Sequence, residues 1–286
     1  MTSASKKLLF GTAGVPLSAS PSSTLAGIQK IAQLGLECLE IEFVKGMKMG
    51  ADLAQKIKEE AKAVNVALSV HAPYYVNLNS AEEGKRLASQ ERILSSARMA
   101  EICGAKSVVF HAGYYGRVGP EKALQTIKEG LKEIVSILKS DRTQVILRPE
   151  TLGKRTQFGS LEDILYLCRE VEGILPCIDF CHIHAREGKA NSYSEFNRIL
   201  KKIEKKLGSK AIKNMHIHIS GVDYNDKGEK KHLNLKDSDF CFDEWIQALK
   251  DFGVEGMIIC ESPNLEQDAL MLKQLYWGQT FKTCIT

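Results

Sequence analysis

Val66-Ala67-Leu68-Ser69-Val70-His71-Ala72-Pro73-Tyr74-Tyr75-Val76-Asn77-Leu78 decides how the chain is read. Its first five residues form an apolar run with the character of a buried strand. The run ends on a histidine, a proline turn, two tyrosines and an asparagine. Strands favour Val, Ile and aromatics, and turns favour Gly, Pro, Asn and Asp. Neither preference accounts for a histidine at the junction with aromatics just behind it. The question is then what stands at the ends of the other strands.

Outward from this stretch, short apolar runs alternate with helical patterns. Expected strands are Leu8–Gly11, Cys38–Phe43, Val66–Val70, Ser107–Phe110, Gln144–Leu147, Leu175–Ile178, Ile212–Ile219 and Met257–Cys260. A helix capped by Ser22 or Ser23 stops at Gly35, and others span Asp52–Val64 and Glu83–Cys103, with Gly104 as the stop. Pro120 opens a helix through Ile137 or Leu138, and Ser160-Leu161-Glu162-Asp163 opens the next in capping fashion. Tyr193–Leu207, Phe242–Phe252 and Leu265–Tyr276 complete the set. Eight strands, each followed by a helix, imply parallel strands with right-handed crossovers. The expected fold is a closed (β/α)₈ TIM barrel forming a single domain over residues 1–286. The competing open doubly wound sheet would carry a phosphate fingerprint. Neither G-x-G-x-x-G nor G-x-x-x-x-G-K-[ST] occurs.

Hydrophobic residues at 44% and charged residues at 26% are ordinary for a globular chain. No apolar run is long enough to span a membrane. Leu8-Leu9-Phe10, behind Met1–Lys7, is too short for a secretory leader, so a cytoplasmic location is expected. The eight cysteines lack disulfide-like spacing and a Cys-x-x-Cys pair, which favours reduced, core-filling thiols over a thiolate zinc site. A net charge of +4 permits a polyanionic partner without demanding one. Lysine runs such as Lys201-Lys202 and Lys230-Lys231 read as solvated faces.

In such barrels the active site lies at the C-terminal ends of the strands. Strand three ends at His71, strand four at His111, strand five at Glu150, strand six at Asp179, strand seven at His216 or His218, and strand eight at Glu261. One histidine so placed is ordinarily a packed rim residue. Six successive strands ending in His or a carboxylate form a nitrogen and oxygen donor set suited to Zn2+, Mn2+ or Fe2+. Converging carboxylates repel and pay for desolvation, which divalent cations offset. With His182 and His232 added, the donors are too many for one ion. Glu150, flanked by donor-bearing strands, is placed to bridge two.

These residues resemble the endonuclease IV family of apurinic/apyrimidinic endonucleases over nearly the whole chain. His71-Ala72-Pro73-Tyr74-Tyr75-Val76-Asn77-Leu78 resembles its His-x-x-Tyr-apolar-x-Asn-apolar motif, with Tyr75 in an aliphatic position. Cys177-Ile178-Asp179-Phe180-Cys181-His182 resembles its Cys-Ile-Asp-Thr-Cys-His motif, with Phe180 replacing a small hydroxyl residue. The resemblance implies a trinuclear zinc TIM barrel that repairs damaged double-stranded DNA. Its reaction is hydrolysis of the phosphodiester 5′ to an abasic site by a metal-bound hydroxide, in base-excision repair. It implies that His71 and His111 bind one zinc, with Glu150 bridging to a second that Asp179, His218 and Glu261 complete, and that His182 and His232 bind the third. Glu150 and Glu261 are then also the catalytic carboxylates. Tyr74 matches the aromatic that enters the DNA stack, with Tyr75 its partner, and Lys48 lies near an arginine of the same purpose. His216 lies on the same side of the strand as His218, and His218, nearer the mouth, is favoured.

Two departures stand out. His218-Ile219-Ser220-Gly221-Val222-Asp223 differs from the family's segment after strand seven. Lys230 stands where the third zinc takes an aspartate, leaving Glu229 or Asp226 to substitute and the count of ions at two or three. The alternatives are a sugar isomerase or epimerase of the xylose-isomerase-like barrels, or a DNA-damage binder with a degenerate third site. A monomer is expected.

Overall fold

The computed structural model describes residues 8–44, 46–188 and 190–278. The expectations about Met1–Lys7 and Cys284 lie outside these residues. The strands are β1 (Leu8–Ala13), β2 (Cys38–Glu42), β3 (Ala67–His71), β4 (Ser107–Phe110), β5 (Ile146–Pro149), β6 (Cys177–Asp179), β7 (Met215–Ile219), β8 (Gly221–Asn225), β9 (Gly228–Leu233) and β10 (Gly256–Cys260). The helices are α1 (Thr24–Gln33), α2 (Ala51–Ala63), α3 (Glu83–Cys103), α4 (Pro120–Ser140), α5 (Leu161–Glu170), α6 (Phe180–Glu187), α7 (Tyr193–Leu207), α8 (Ser209–Ile212), α9 (Phe242–Asp251) and α10 (Glu266–Tyr276).

Eight strands pair in parallel in the order β5-β4-β3-β2-β1-β10-β7-β6. The two ends of this sheet meet. Thr151 N donates to Cys177 O at 3.1 Å and Leu175 N donates to Leu147 O at 3.1 Å, within bridges Glu150–Cys177 and Leu147–Ile174. The fold is a TIM barrel, as expected, and the open sheet is excluded by this closure.

Local chemistry explains the helix ends. Ser23 caps α1 through Ala26 N, and Ser160 forms a capping box with Asp163. Gly104 closes α3 in the left-handed conformation, at φ 72°. Three expectations need correction. Ile212 belongs to the short helix α8, so strand seven begins only at Met215. A helix, α6, follows β6 directly, ahead of the expected one at Tyr193. The Asp226–His232 loop is largely strand: β8 and β9 form an antiparallel hairpin beyond β7.

Strand alternation divides the protein into two regions. Outward residues, including Leu8, Phe10, Leu39, Ile41, Leu68, Val70, Val108, Leu147, Ile178, Ile217 and Ile258, pack with the helices in the main core. Inward residues make only a small apolar cluster of Cys38, Met257 and Ile259. Besides Val109, much of the inward row is polar and buried: Glu40, Ser69, Ser107, Arg148 and His216. Arg148 spans the β5–β6 closure. It donates to Ser107 Oγ at 3.0 Å, Pro176 O at 3.1 Å, and Asn214 O and Oδ1 at 3.1 and 3.0 Å. Arg148→Met would strand these acceptors in the interior, so it is expected to lower the free energy of urea unfolding by about 3 kcal/mol. A loss below about 0.5 kcal/mol would show that the closure does not depend on it.

Candidate metal centre

The upper end of the polar row forms a pocket of about 290 Å³, lined by Tyr74, His111, Glu150, Lys154, His182, Glu229, His232 and Glu261 among others. Glu150, 1% exposed at its side chain, is its centre. Four imidazoles from four parts of the chain surround it: His111 Nε2 at 3.1 Å, His218 Nδ1 at 3.3 Å, His71 Nε2 at 3.4 Å and His182 Nδ1 at 3.4 Å. Glu261 Oε1 lies 3.2 Å from His218 Nδ1.

Asp179 ends β6 and also caps α6, its Oδ1 accepting from His182 N at 2.6 Å. The Asp-x-x-His spacing is therefore one turn of helix, with both side chains on the mouth. Asp179 Oδ2 is buried and has no hydrogen-bond partner. Phe180, at the departing position of the motif, points away into an aromatic cluster with Phe196 and Trp245.

The hairpin brings the last donors. Glu229 Oε2 lies 3.5 Å from His182 Nε2, and Glu229 Oε1 3.7 Å from His232 Nε2. Lys230 turns outward to Asp223, 2.8 Å away, and Asp226 is exposed. Of the two substitutes read from the sequence, Glu229 is the one brought to the site. Arg186, at the far end of α6, fixes the loop beneath the hairpin by donating to Leu152 O, Lys154 O and Gln157 O at 3.1, 2.7 and 3.1 Å. Gly228, at φ 99°, lets the hairpin touch that loop: a Cβ there would sit 2.1 Å from Gly153 O.

The donor atoms fall into groups whose members lie within 4.8 Å of one another: His71, His111 and Glu150; Glu150, Asp179, His218 and Glu261; His182, Glu229 and His232. A further such group, Cys177, His216 and His218, lies one layer deeper in the barrel. Electrostatics match a cation site. Burial alone would disfavour the imidazolium of His71, but the hydrogen bond to Glu150 and the charges of Glu42 and Glu150 push it up to about 9. Burial likewise opposes charge on His218 and His182, and the surrounding carboxylates overcome it. Burial, with the charges of Glu261 and Glu150, raises Asp179 to about 6. Burial is also opposed at Glu150, where the imidazoles of His218 and His111 hold the carboxyl well below its ordinary range. Protonated rings thus supply the positive charge that the carboxylates require. A divalent ion would replace those protons. The orphaned Asp179 oxygen and the nitrogen and oxygen donor set fit that ion.

Tyr74, 41% exposed, stands over the centre. It stacks on His111 at 5.1 Å and meets His71 edge-on at 4.8 Å. Tyr75 is turned aside, under the Arg92 guanidinium at 4.5 Å. Lys48 is exposed on a separate groove with Ile41, Phe43, Met49 and Leu53. Sequence reasoning missed Glu40 and Glu42. Their signal was present: both share the inward face of β2, and burial pushes Glu42 up to about 8.

A family model described as xylose isomerase-like TIM barrel matches residues 28–277. A Bacillus subtilis protein named probable endonuclease 4 is 30% identical over 72% of this chain and 70% of its own. The chain belongs to the endonuclease IV family of xylose isomerase-like TIM barrels. An uncharacterized protein of Methanocaldococcus jannaschii is 46% identical over 94% of this chain and 97% of its own. Two solved structures share the fold. A D-tagatose 3-epimerase-like protein has a TM-score of 0.72 at 21% identity, covering 94% of this chain and 96% of its own. Endonuclease IV of Thermus thermophilus has a TM-score of 0.69 at 18% identity, covering 94% and 98%. The fold therefore accommodates both kinds of protein, and the site must separate them.

Glu229→Gln removes one donor charge from the hairpin group alone. Elemental analysis is expected to find one metal ion per chain fewer than in the unaltered protein. An unchanged content would remove Glu229 from the donor set.

Proposed function

We propose that the protein is a metal-dependent endonuclease that hydrolyses the DNA phosphodiester on the 5′ side of an abasic site. The observation that carries this reading is the third donor group, His182, Glu229 and His232, standing beside the group built on Glu150. A sugar epimerase has use for Glu150, Asp179, His218 and Glu261, but not for three further donors, one on α6 and two on a hairpin, or an exposed tyrosine over the mouth. The Bacillus subtilis relative, a probable endonuclease 4, points the same way.

In this reading His71, His111 and Glu150 hold one divalent ion, Glu150, Asp179, His218 and Glu261 a second, and His182, Glu229 and His232 a third, with zinc best suited to the donors. Such ions activate water and neutralise charge on the phosphate and the departing 3′ oxygen. Glu150 and Glu261 orient the reacting groups at the pocket floor. Glu261 is suited to this because its Oε1 is 3.2 Å from His218 Nδ1 and its Oε2 3.9 Å from His232 Nδ1, between the second and third donor groups. Tyr74 offers an aromatic face to the gap in the base stack. An abasic nucleotide, with no base to unstack, is turned out of the duplex at little cost. Tyr75 and Lys48 extend the contact with DNA along the rim. Lys154, on the pocket wall, adds a cation for a phosphate.

The deciding experiment is a duplex with one abasic analogue, incubated with the protein and divalent metal. EDTA-sensitive nicking is expected. Binding without nicking would support a damage binder, and ketose–aldose isomerisation or ketose epimerisation without nicking would support the sugar isomerase or epimerase reading, which the Glu150 group by itself would serve. Glu261→Gln should reduce nicking to background with an unchanged circular dichroism spectrum; near-normal turnover would remove it from the centre. Tyr74→Ala should weaken binding to the abasic duplex by ~1–3 kcal/mol relative to undamaged DNA. Equal affinity for both duplexes in the unaltered protein and the variant would refute the stacking role.

A further inference from the structure

The histidines of the donor groups differ in what stands behind them. The nitrogens Nδ1 of His71, His182 and His232 have backbone carbonyls as their nearest partners: Ala72 O at 2.6 Å, Thr151 O at 3.0 Å and Glu261 O at 3.3 Å, although His182 Nδ1 also has Glu150 and Asp179 oxygens further off, at 3.4 and 3.5 Å. Behind His218 is a carboxylate instead. Its Nε2 lies 2.9 Å from Glu40 Oε1, while its Nδ1 faces Glu150 and Glu261. Glu40 is fully buried. Its other oxygen, Oε2, accepts from Ser69 Oγ at 2.7 Å and lies 2.9 Å from His216 Nε2. Ser69 is the register partner of Glu40 across β2 and β3. The approach of His218 to Glu40 is a close ion-pair contact rather than an aligned hydrogen bond, and neither atom has another partner.

We infer that Glu40 is a positioning residue of the metal centre. Its carboxylate keeps the proton of His218 on Nε2 and leaves the Nδ1 lone pair for the ion shared with Glu150, Asp179 and Glu261. A buried carboxylate polarises the ring more than a carbonyl does, so Glu40 strengthens His218 as a donor to this ion. Ser69 and His216 fix the carboxylate itself: both stand at Oε2 and leave Oε1 to His218. Glu40 does not line the pocket, so it acts only through the imidazole. The inference rests on the metal-centre reading.

The test uses the full chain loaded with zinc. Stepwise competition with a chelator is expected to show that Glu40→Gln weakens one binding step 10- to 100-fold and leaves the others in place. Ser69→Ala should weaken the same step by less. Nitrogen-15 correlation spectra of the histidine rings in the zinc-loaded unaltered protein should show His218 protonated on Nε2 with zinc on Nδ1. These spectra decide the point even if Glu40→Gln does not fold. Zinc on His218 Nε2, or equal loss at every step in Glu40→Gln, would overturn the inference. So would unchanged affinity in a folded Glu40→Gln. No zinc uptake by the unaltered protein would overturn the metal centre as well.

Discussion

One buried carboxylate organises this molecule. Glu150 sits at the end of β5 with four imidazoles within 3.4 Å, from β3, β7, α6 and the turn after β4. An isolated charge so buried would be untenable, since desolvation costs several kcal/mol. It persists because strands from opposite sides of a ring all deliver compensating groups to one point. Only a closed barrel does that. The site and the closure of the barrel are therefore one constraint.

The interior shows the same logic one layer down. Most small barrels fill their centres with branched apolar side chains. Here Glu40, Ser69, Arg148 and His216 replace most of them, and apolar packing is left to the strand–helix interface. Arg148 satisfies carbonyls across the closure, and Glu40 stands between two histidines. Each polar group is tolerable because it meets a polar partner inside the barrel, Ser69 beside Glu40 in register and His216 and His218 from across it. The mouth thus rests on a rigid polar column, which suits a centre whose donors must hold their positions without backbone strain.

The third donor group depends on the pairing of α6 with the β8–β9 hairpin. Asp179 both ends a strand and starts a helix, which sets His182 one turn along. The hairpin then folds over that turn, and Arg186 together with the Gly228 contact locks the two to the β5 loop. Shifting the hairpin acid from position 230 to 229 changes which strand face carries it. The observed β9 pairing turns Glu229 inward and Lys230 outward, so the charge reaches the centre by a different register.

The sequence by itself determined the barrel. Its alternation of runs, its capping residues and its strand-end His and carboxylate residues are local signals, governed by the two- and 3.6-residue periods of strand and helix. The strand-end signals named His71, His111, Glu150, Asp179, Glu261 and, as the favoured one of two, His218, and the family resemblance gave His182 and His232 their place beside them. Tertiary structure alone decided the rest. Glu229 rather than Asp226 meets the histidines because the hairpin register fixes it. Glu40 and Glu42 looked like one face of an ordinary strand. Their role emerged only when closure put β2 opposite β7, and that contact is set by a ring of hydrogen bonds between residues far apart in the chain.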